Sequence, residues 1–168
     1  MKYRVPLVCV LLASSLLTSA AQAERYQLKE DTKLFGFIPG HTIDNAESDV
    51  PFDKAYEQLT VVQQRSLKSA YVEMGESDEP PFPIGGLKTI YEPITEGQQQ
   101  LLARGLFRAD VEIDSDGTPI AVAVYRSPSS AMTRLISSIV LLSKFKPAVC
   151  SGSPCKMGFP ILIKFGIR

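Results

Sequence analysis

Tryptophan is absent from these 168 residues, histidine occurs once and cysteine three times. A single imidazole, His41, cannot build a multi-histidine metal centre, and no serine or cysteine nucleophile motif accompanies it. Acidic and basic residues balance at 18 each, which removes the overall positive field that nucleic-acid binding relies on. Long apolar runs are missing too. Residues 5–17 are mostly apolar, but Ser14, Ser15, Thr18 and Ser19 break the stretch short of the roughly 20 residues a membrane helix needs.

That stretch follows Lys2 and Arg4 and ends in "SAAQA" at residues 19–23, the pattern of a secretory signal peptide, residues 1–23, cleaved after Ala23. Cleavage removes Cys9, which reads as part of the apolar core of the signal, and leaves Cys150 and Cys155 as an even pair in an exported chain. An oxidising compartment then favours one disulfide. Removing Lys2 and Arg4 from the eighteen basic residues leaves sixteen against eighteen acidic ones, a formal charge of −2. Their distribution is uneven: residues 118–168 hold seven basic side chains and no acidic one, while residues 24–117 hold nine and eighteen. Such asymmetry suits an anionic partner for the C-terminal part, or two parts that face each other within one fold.

Residues 24–49 are polar, with a short strand expected at 33–37 and a turn at Pro39-Gly40. Over residues 51–74, Phe52, Tyr56, Leu59, Val62, Leu67, Ala70 and Met74 recur at helical steps, which predicts one long amphipathic helix opened by Pro51, capped by Ser48 or Asp49, and closed by Gly75. The acids, prolines and glycines of residues 75–86 predict a linker or extended strap. A shorter helix is expected over 92–104, with Pro93 in its first turn, Gly97 weakening its middle and Gly105 as its C-terminal cap. The period then changes to two: Phe107, Ala109, Val111 and Ile113 alternate with charged residues, "DSDG" turns the chain, and Ile120, Val122 and Val124 form the buried face of a second, antiparallel strand. A helix follows with Ser127 or Ser129 as N-cap, a stripe of Met132, Leu135, Ile136, Ile139 and Leu142, and Pro147 as its stop. Phe159, Ile161, Ile163, Phe165 and Ile167 alternate in a last strand, where Pro160 is tolerable only at the start or on an edge. The order predicts an α+β fold: a small antiparallel sheet, strand-strand-helix-strand, covered by a helix, with an N-terminal helical extension. The domain organisation expected is a signal at 1–23, the extension and linker at 24–81, and the sheet domain at 82–168.

Two thiols without histidine cannot complete a structural zinc site, and C-S-G-S-P-C lacks the C-x-x-C spacing and helix start of a redox motif. A disulfide across a turn supplied by Gly152 and Pro154 remains. Closing so short a loop contributes about 2 kcal/mol in the chain-entropy model, so the bond serves to fix the register of the last strand.

The segment "GLFRADVEIDSDGTPIAVAVYRSPSSAMTRLISSIVLLSKFKPAV…MGFPILIKF", residues 105–165, resembles the C-terminal domain of the TonB energy-transducer family in its order of strand, "IDSDG" turn, strand, helix, "FKPA" and terminal strand. The resemblance implies a periplasmic domain of a Gram-negative bacterium that receives an extended segment of a TonB-dependent outer-membrane transporter as an added strand. It places that partner beside Ile161, Leu162, Ile163, Lys164 and Phe165. The chain departs from a transducer in lacking a long proline-rich spacer, in the apparent cleavage of its N-terminal segment, in the cysteine pair and in the helix expected over 51–74.

These readings favour a non-enzymatic, disulfide-stapled periplasmic module that binds an extended peptide or partner protein by strand addition, with a second copy of the chain as another candidate partner and no cofactor, metal or nucleic acid. An uncleaved signal would instead make a membrane-anchored accessory of transporter-linked import. A hydrolase is the third class, with Asp114 and Asp116 as paired carboxylates. Neighbouring acids in a tight polar turn read better as turn formers, and Ser127, Ser129 and Ser130 as helix caps. The basic residues Lys144, Lys146, Lys156, Lys164 and Arg168 lack the interleaved aromatics of a nucleic-acid platform.

Overall fold

The computed structural model describes residues 26–28, 50–72 and 74–166, the first three by their main chain. The signal segment, the strand expected at 33–37, His41, the proposed caps Ser48 and Asp49, Ile167 and Arg168 lie outside the described residues.

Alternation builds the sheet. Strand β3 (Gly105–Ile113) buries Phe107, Ala109, Val111 and Ile113 as its period of two requires, and pairs antiparallel with both β4 (Pro119–Arg126) and β8 (Met157–Phe165). Strand β1 (Tyr26–Leu28) runs parallel to β4, giving the order β1-β4-β3-β8. On β4 the buried face is Pro119, Val122 and Val124, whereas Ile120 is only half-buried. A register shift between Glu112 and Ile113 sets Pro119 opposite Ile113 and leaves Ile120 as the extra residue, so the alternation slips by one there.

Two helices cover one face. Ile90, Tyr91 and Ile94 of α2 (Lys88–Leu101) and Met132, Ile136 and Val140 of α3 (Ser130–Leu142) share a buried cluster with the inward residues of β3, β4 and β8. The result is the expected α+β architecture of a small sheet under helices. Ser129 caps α3, its Oγ accepting from Met132 N at 3.2 Å. The helix ends at Leu142 rather than at Pro147, because Phe145 and Lys146 enter strand β5 and bury Phe145 in the core. Helix α2 starts four residues earlier than its expected position at Glu92, so Pro93 sits inside it and removes one backbone bond. Burial of Ile90, Tyr91 and Ile94 on both sides of the proline offsets that cost, at about 1.5–3 kcal/mol per large side chain. Its terminus is Leu102, in the left-handed region at φ 49°, and not Gly105, which opens β3. Gly97 is where α2 meets α3: a Cβ there would collide with the Leu135 side chain.

The helix expected over 51–74 is two pieces, a 3-10 turn at Tyr56–Gln58 and a short α1 (Val61–Lys68). Leu59 and Thr60 between them are extended, and Thr60 restarts the chain with a capping box, its Oγ1 accepting from Gln63 N and its N donating to Gln63 Oε1 at 2.9 Å. Tyr56, Leu59 and Leu67 still join the core, together with Val50, while Val62 of the expected stripe is exposed. A spacing of three or four cannot tell one helix from two short turns whose apolar residues meet the same core.

Residues 75–86 form a strap tied to the sheet domain. Glu79 and Val149 exchange two backbone bonds at 2.9 Å, and β2 (Phe82–Pro83) pairs with β5 (Phe145–Lys146). Phe82 is fully buried beneath it, with the Tyr56 ring 6.0 Å away.

Candidate functional site

Strand β8 ends the four-stranded sheet, with β3 paired along its whole length from Gly105↔Phe165 to Ile113↔Met157. Among the described residues no backbone group is bonded to its other side. Antiparallel ladders alternate inward and outward N–H groups. Pro160 has no N–H and is tolerated at an outward position, opposite Asp110. The same parity turns the N–H groups of Leu162 and Lys164 outward, away from β3.

Side chains along this edge offer less than the main chain. Ile161, Ile163 and Phe165 point into the core, as expected of the buried face. Leu162, on the opposite face and paired with Arg108, is only 9 % exposed. Of the five residues assigned to partner binding, Lys164 alone exposes its side chain.

Charge lines the outer face of the sheet next to β8. The Asp110 carboxylate lies where a Cβ on Gly158 would go, so a side chain there would have to displace it. Burial first, and Asp110 second, push the phenols of Tyr71 and Tyr125 upward. The Arg108 guanidinium stands 5.8 Å from the Tyr125 ring centre. Glu112 and Lys156 form an ion pair at 2.5 Å, and the bond to Glu112 holds the lysine above its ordinary value.

The disulfide stands one residue upstream of β8. Cys150 ends β6 (Ala148–Cys150), Cys155 ends β7 (Ser153–Cys155), and the two are bonded with their Cα atoms 5.8 Å apart. The pairs are Ala148↔Cys155 and Cys150↔Ser153, so the bond runs diagonally across the hairpin instead of joining opposed residues. The turn is Ser151-Gly152, both at positive φ (50° and 81°), as a two-residue hairpin demands. Pro154, expected in the turn, lies in β7 opposite Val149. Asp78 of the strap fastens the tip: its carboxylate accepts from Ser151 N at 2.8 Å and from Gly75 N at 3.1 Å, and these bonds hold it below the usual carboxylate range. Behind the hairpin, Lys146 pairs with Glu79 at 2.7 Å and lies 4.8 Å from the centre of the Tyr56 ring. Nothing in the sequence pairs Asp78 with Ser151, 73 positions later.

The residues considered for hydrolysis serve the backbone. Asp114 Oδ1 accepts from Ser115 N and Asp116 Oδ1 from Thr118 N, each at 2.8 Å. Ser127 donates to the Ser129 carbonyl at 2.8 Å, and Ser130 is the first residue of α3 rather than a cap. Among the described residues no three His, Cys, Asp or Glu side chains are placed to hold a metal ion, and no helix is long and apolar enough to cross a membrane.

Compared with family models, curated proteins and solved structures, the chain finds no match in any of the three.

Proposed function

We propose that the chain is an exported, periplasmic interaction module without catalytic activity, which takes an extended segment of a partner protein as an additional strand along the outer edge of β8. The observation that carries this reading is that, among the described residues, nothing pairs with the outer side of β8 over residues 161–165, a stretch fully paired on its other side. Main-chain bonds from Leu162 and Lys164 supply affinity in this mode. With four of the five side chains turned away from solvent, selection falls to Lys164 and to the residues flanking the edge. An open edge is ordinarily blunted in proteins that have no use for it, and Pro160 blunts one half of this edge while leaving the other half available. The resemblance to the TonB C-terminal domain, which rests on the residues quoted above, points to a segment of an outer-membrane transporter as the partner.

A photo-reactive amino acid at position 164, introduced in the native host, tests the reading. A protein adduct is expected, retained in a Leu162→Ala background and lost in Leu162→Pro, which alone removes the outward N–H. An adduct that survives Leu162→Pro contradicts strand addition, and the absence of any adduct contradicts a binding edge.

A further inference from the structure

One end of the helical layer combines exposed apolar side chains with exposed lysines. Three segments meet there. Lys88 N donates to the Phe52 carbonyl at 2.8 Å, Ile84 N donates to the Lys144 carbonyl at 3.0 Å, and Gly86, at φ 82°, lets residues 52–54 pass so closely that a Cβ would touch the Lys54 backbone. At these junctions Phe52, Ile84 and Leu142 are 39 %, 57 % and 85 % exposed. Lys54, Lys88 and Lys144 are exposed beside them, and Asp53 is the one acid on residues 52–54, 84–88 and 142–144.

Burial does not account for this arrangement, because the core beneath is already completed by Leu87, Ile90 and Phe145. Helix stability does not account for it either. Lys88 is the first residue of the 14-residue α2, whose first turn has no acid and no side-chain cap, and a cation at the positive end of the helix dipole is unfavourable. Leu142, the last residue of α3, faces water although its helix has a buried face available. Apolar tips among lysines are the chemistry of a surface whose outer layer is anionic and whose interior is hydrocarbon.

We infer that this end of the molecule docks on an anionic phospholipid surface, with Phe52, Ile84 and Leu142 entering the headgroup boundary and Lys54, Lys88 and Lys144 meeting the phosphates.

The test is co-sedimentation of the protein, recovered from its host's envelope, with vesicles of phosphatidylcholine alone and of phosphatidylcholine mixed with phosphatidylglycerol. Binding to the mixed vesicles is expected, falling as salt is raised, with little binding to the neutral ones. Each lysine near such a surface contributes roughly fivefold in affinity, so Lys54→Gln, Lys88→Gln and Lys144→Gln together lower it on the order of 100-fold. Lys88→Gln relieves the helix dipole, so the triple variant melts no lower than the parent, which separates lost docking from lost fold. Ile84→Ser with Leu142→Ser lowers binding to the mixed vesicles without changing its salt dependence. Equal binding to both vesicle types, no binding to either, or undiminished binding by the lysine variant overturns the inference; capture of an acidic protein in place of vesicles does the same.

Discussion

At the scale of single residues, two close approaches decide positions that composition leaves open. Gly117, at φ 85°, brings its Cα against the Phe145 carbonyl, and a Cβ would overlap that backbone oxygen. Backbone cannot swing aside as a flexible side chain can, so Gly117→Ala combines left-handed strain of about 1–2 kcal/mol with a forced shift of β5. We expect denaturant midpoints to show a loss of about 2–4 kcal/mol, at the upper end of ordinary point substitutions. Gly97→Val overpacks the α2–α3 crossing at Leu135 and costs about 1–3 kcal/mol by the same measurement, part of it returned by Leu135→Ala in the double variant. Titration separates the tyrosines. Burial, followed by Glu79 and Glu57, pushes the Tyr56 phenol up to about 12, and burial alone raises Tyr91 to about 12. Both groups stay neutral in the folded chain and ionise near 10 when unfolded, so their contribution to stability is complete below pH 10 and is lost as pH rises toward 12. Phenolate absorbance of Tyr56, Tyr71 and Tyr91 should therefore appear only above pH 10, and unfolding should accompany it. Asp78 acts in the opposite direction: its carboxyl is lowered, so its tether to Ser151 is intact above the ordinary carboxylate value of 3.8 and is lost as pH falls below it. Amide exchange at Ser151 and Gly75 should rise in acid before exchange in β3 does.

At the scale of elements, β3, β4 and β8 were legible, whereas the short strands β1, β2 and β5 and the first helix were not. Strand β3 buries the four residues its alternation names, because an edge-free central strand with one wet face has one workable register. Residues 51–74 misled because Tyr56, Leu59 and Leu67 do reach the core, though from a 3-10 turn, an extended link and a short helix. The Thr60-to-Gln63 capping box was present in the sequence as a restart signal and carries more information there than the apolar spacing. The disulfide hairpin was half legible: the bond and its place ahead of the last strand follow from the cysteines, whereas the diagonal geometry follows from positive φ at Ser151, a residue with no particular claim to it. Cys150→Ser with Cys155→Ser should leave a folded protein about 2 kcal/mol less stable, because the strap bonds at Glu79 and Asp78 still hold the hairpin. Circular dichroism should keep its native form, with exchange rising first at the start of β8; complete unfolding would refute this modest role.

At the scale of the whole molecule, the strap and the segment ahead of it belong to the same hydrophobic cluster as the sheet, since Val50, Tyr56, Leu59, Leu67 and Phe82 pack with the inward faces of β3, β8 and α2. Intact mass without reducing agent tests export and pairing together: residues 24–168 less two hydrogens are expected, and retention of residues 1–23 would favour the anchored alternative. The sequence by itself determined the α+β class, the inward face of β3, a serine cap at Ser127 or Ser129 ahead of α3 and the pairing of Cys150 with Cys155, because each follows from local period, turn chemistry or residue count. Only the tertiary structure decided that β8 ends the sheet of the described residues, that Leu162 is covered while Lys164 is not, and that Phe52, Ile84 and Leu142 gather at one end. Those facts depend on which distant segments meet, and a sequence carries that information in the summed burial of many residues instead of in any local pattern.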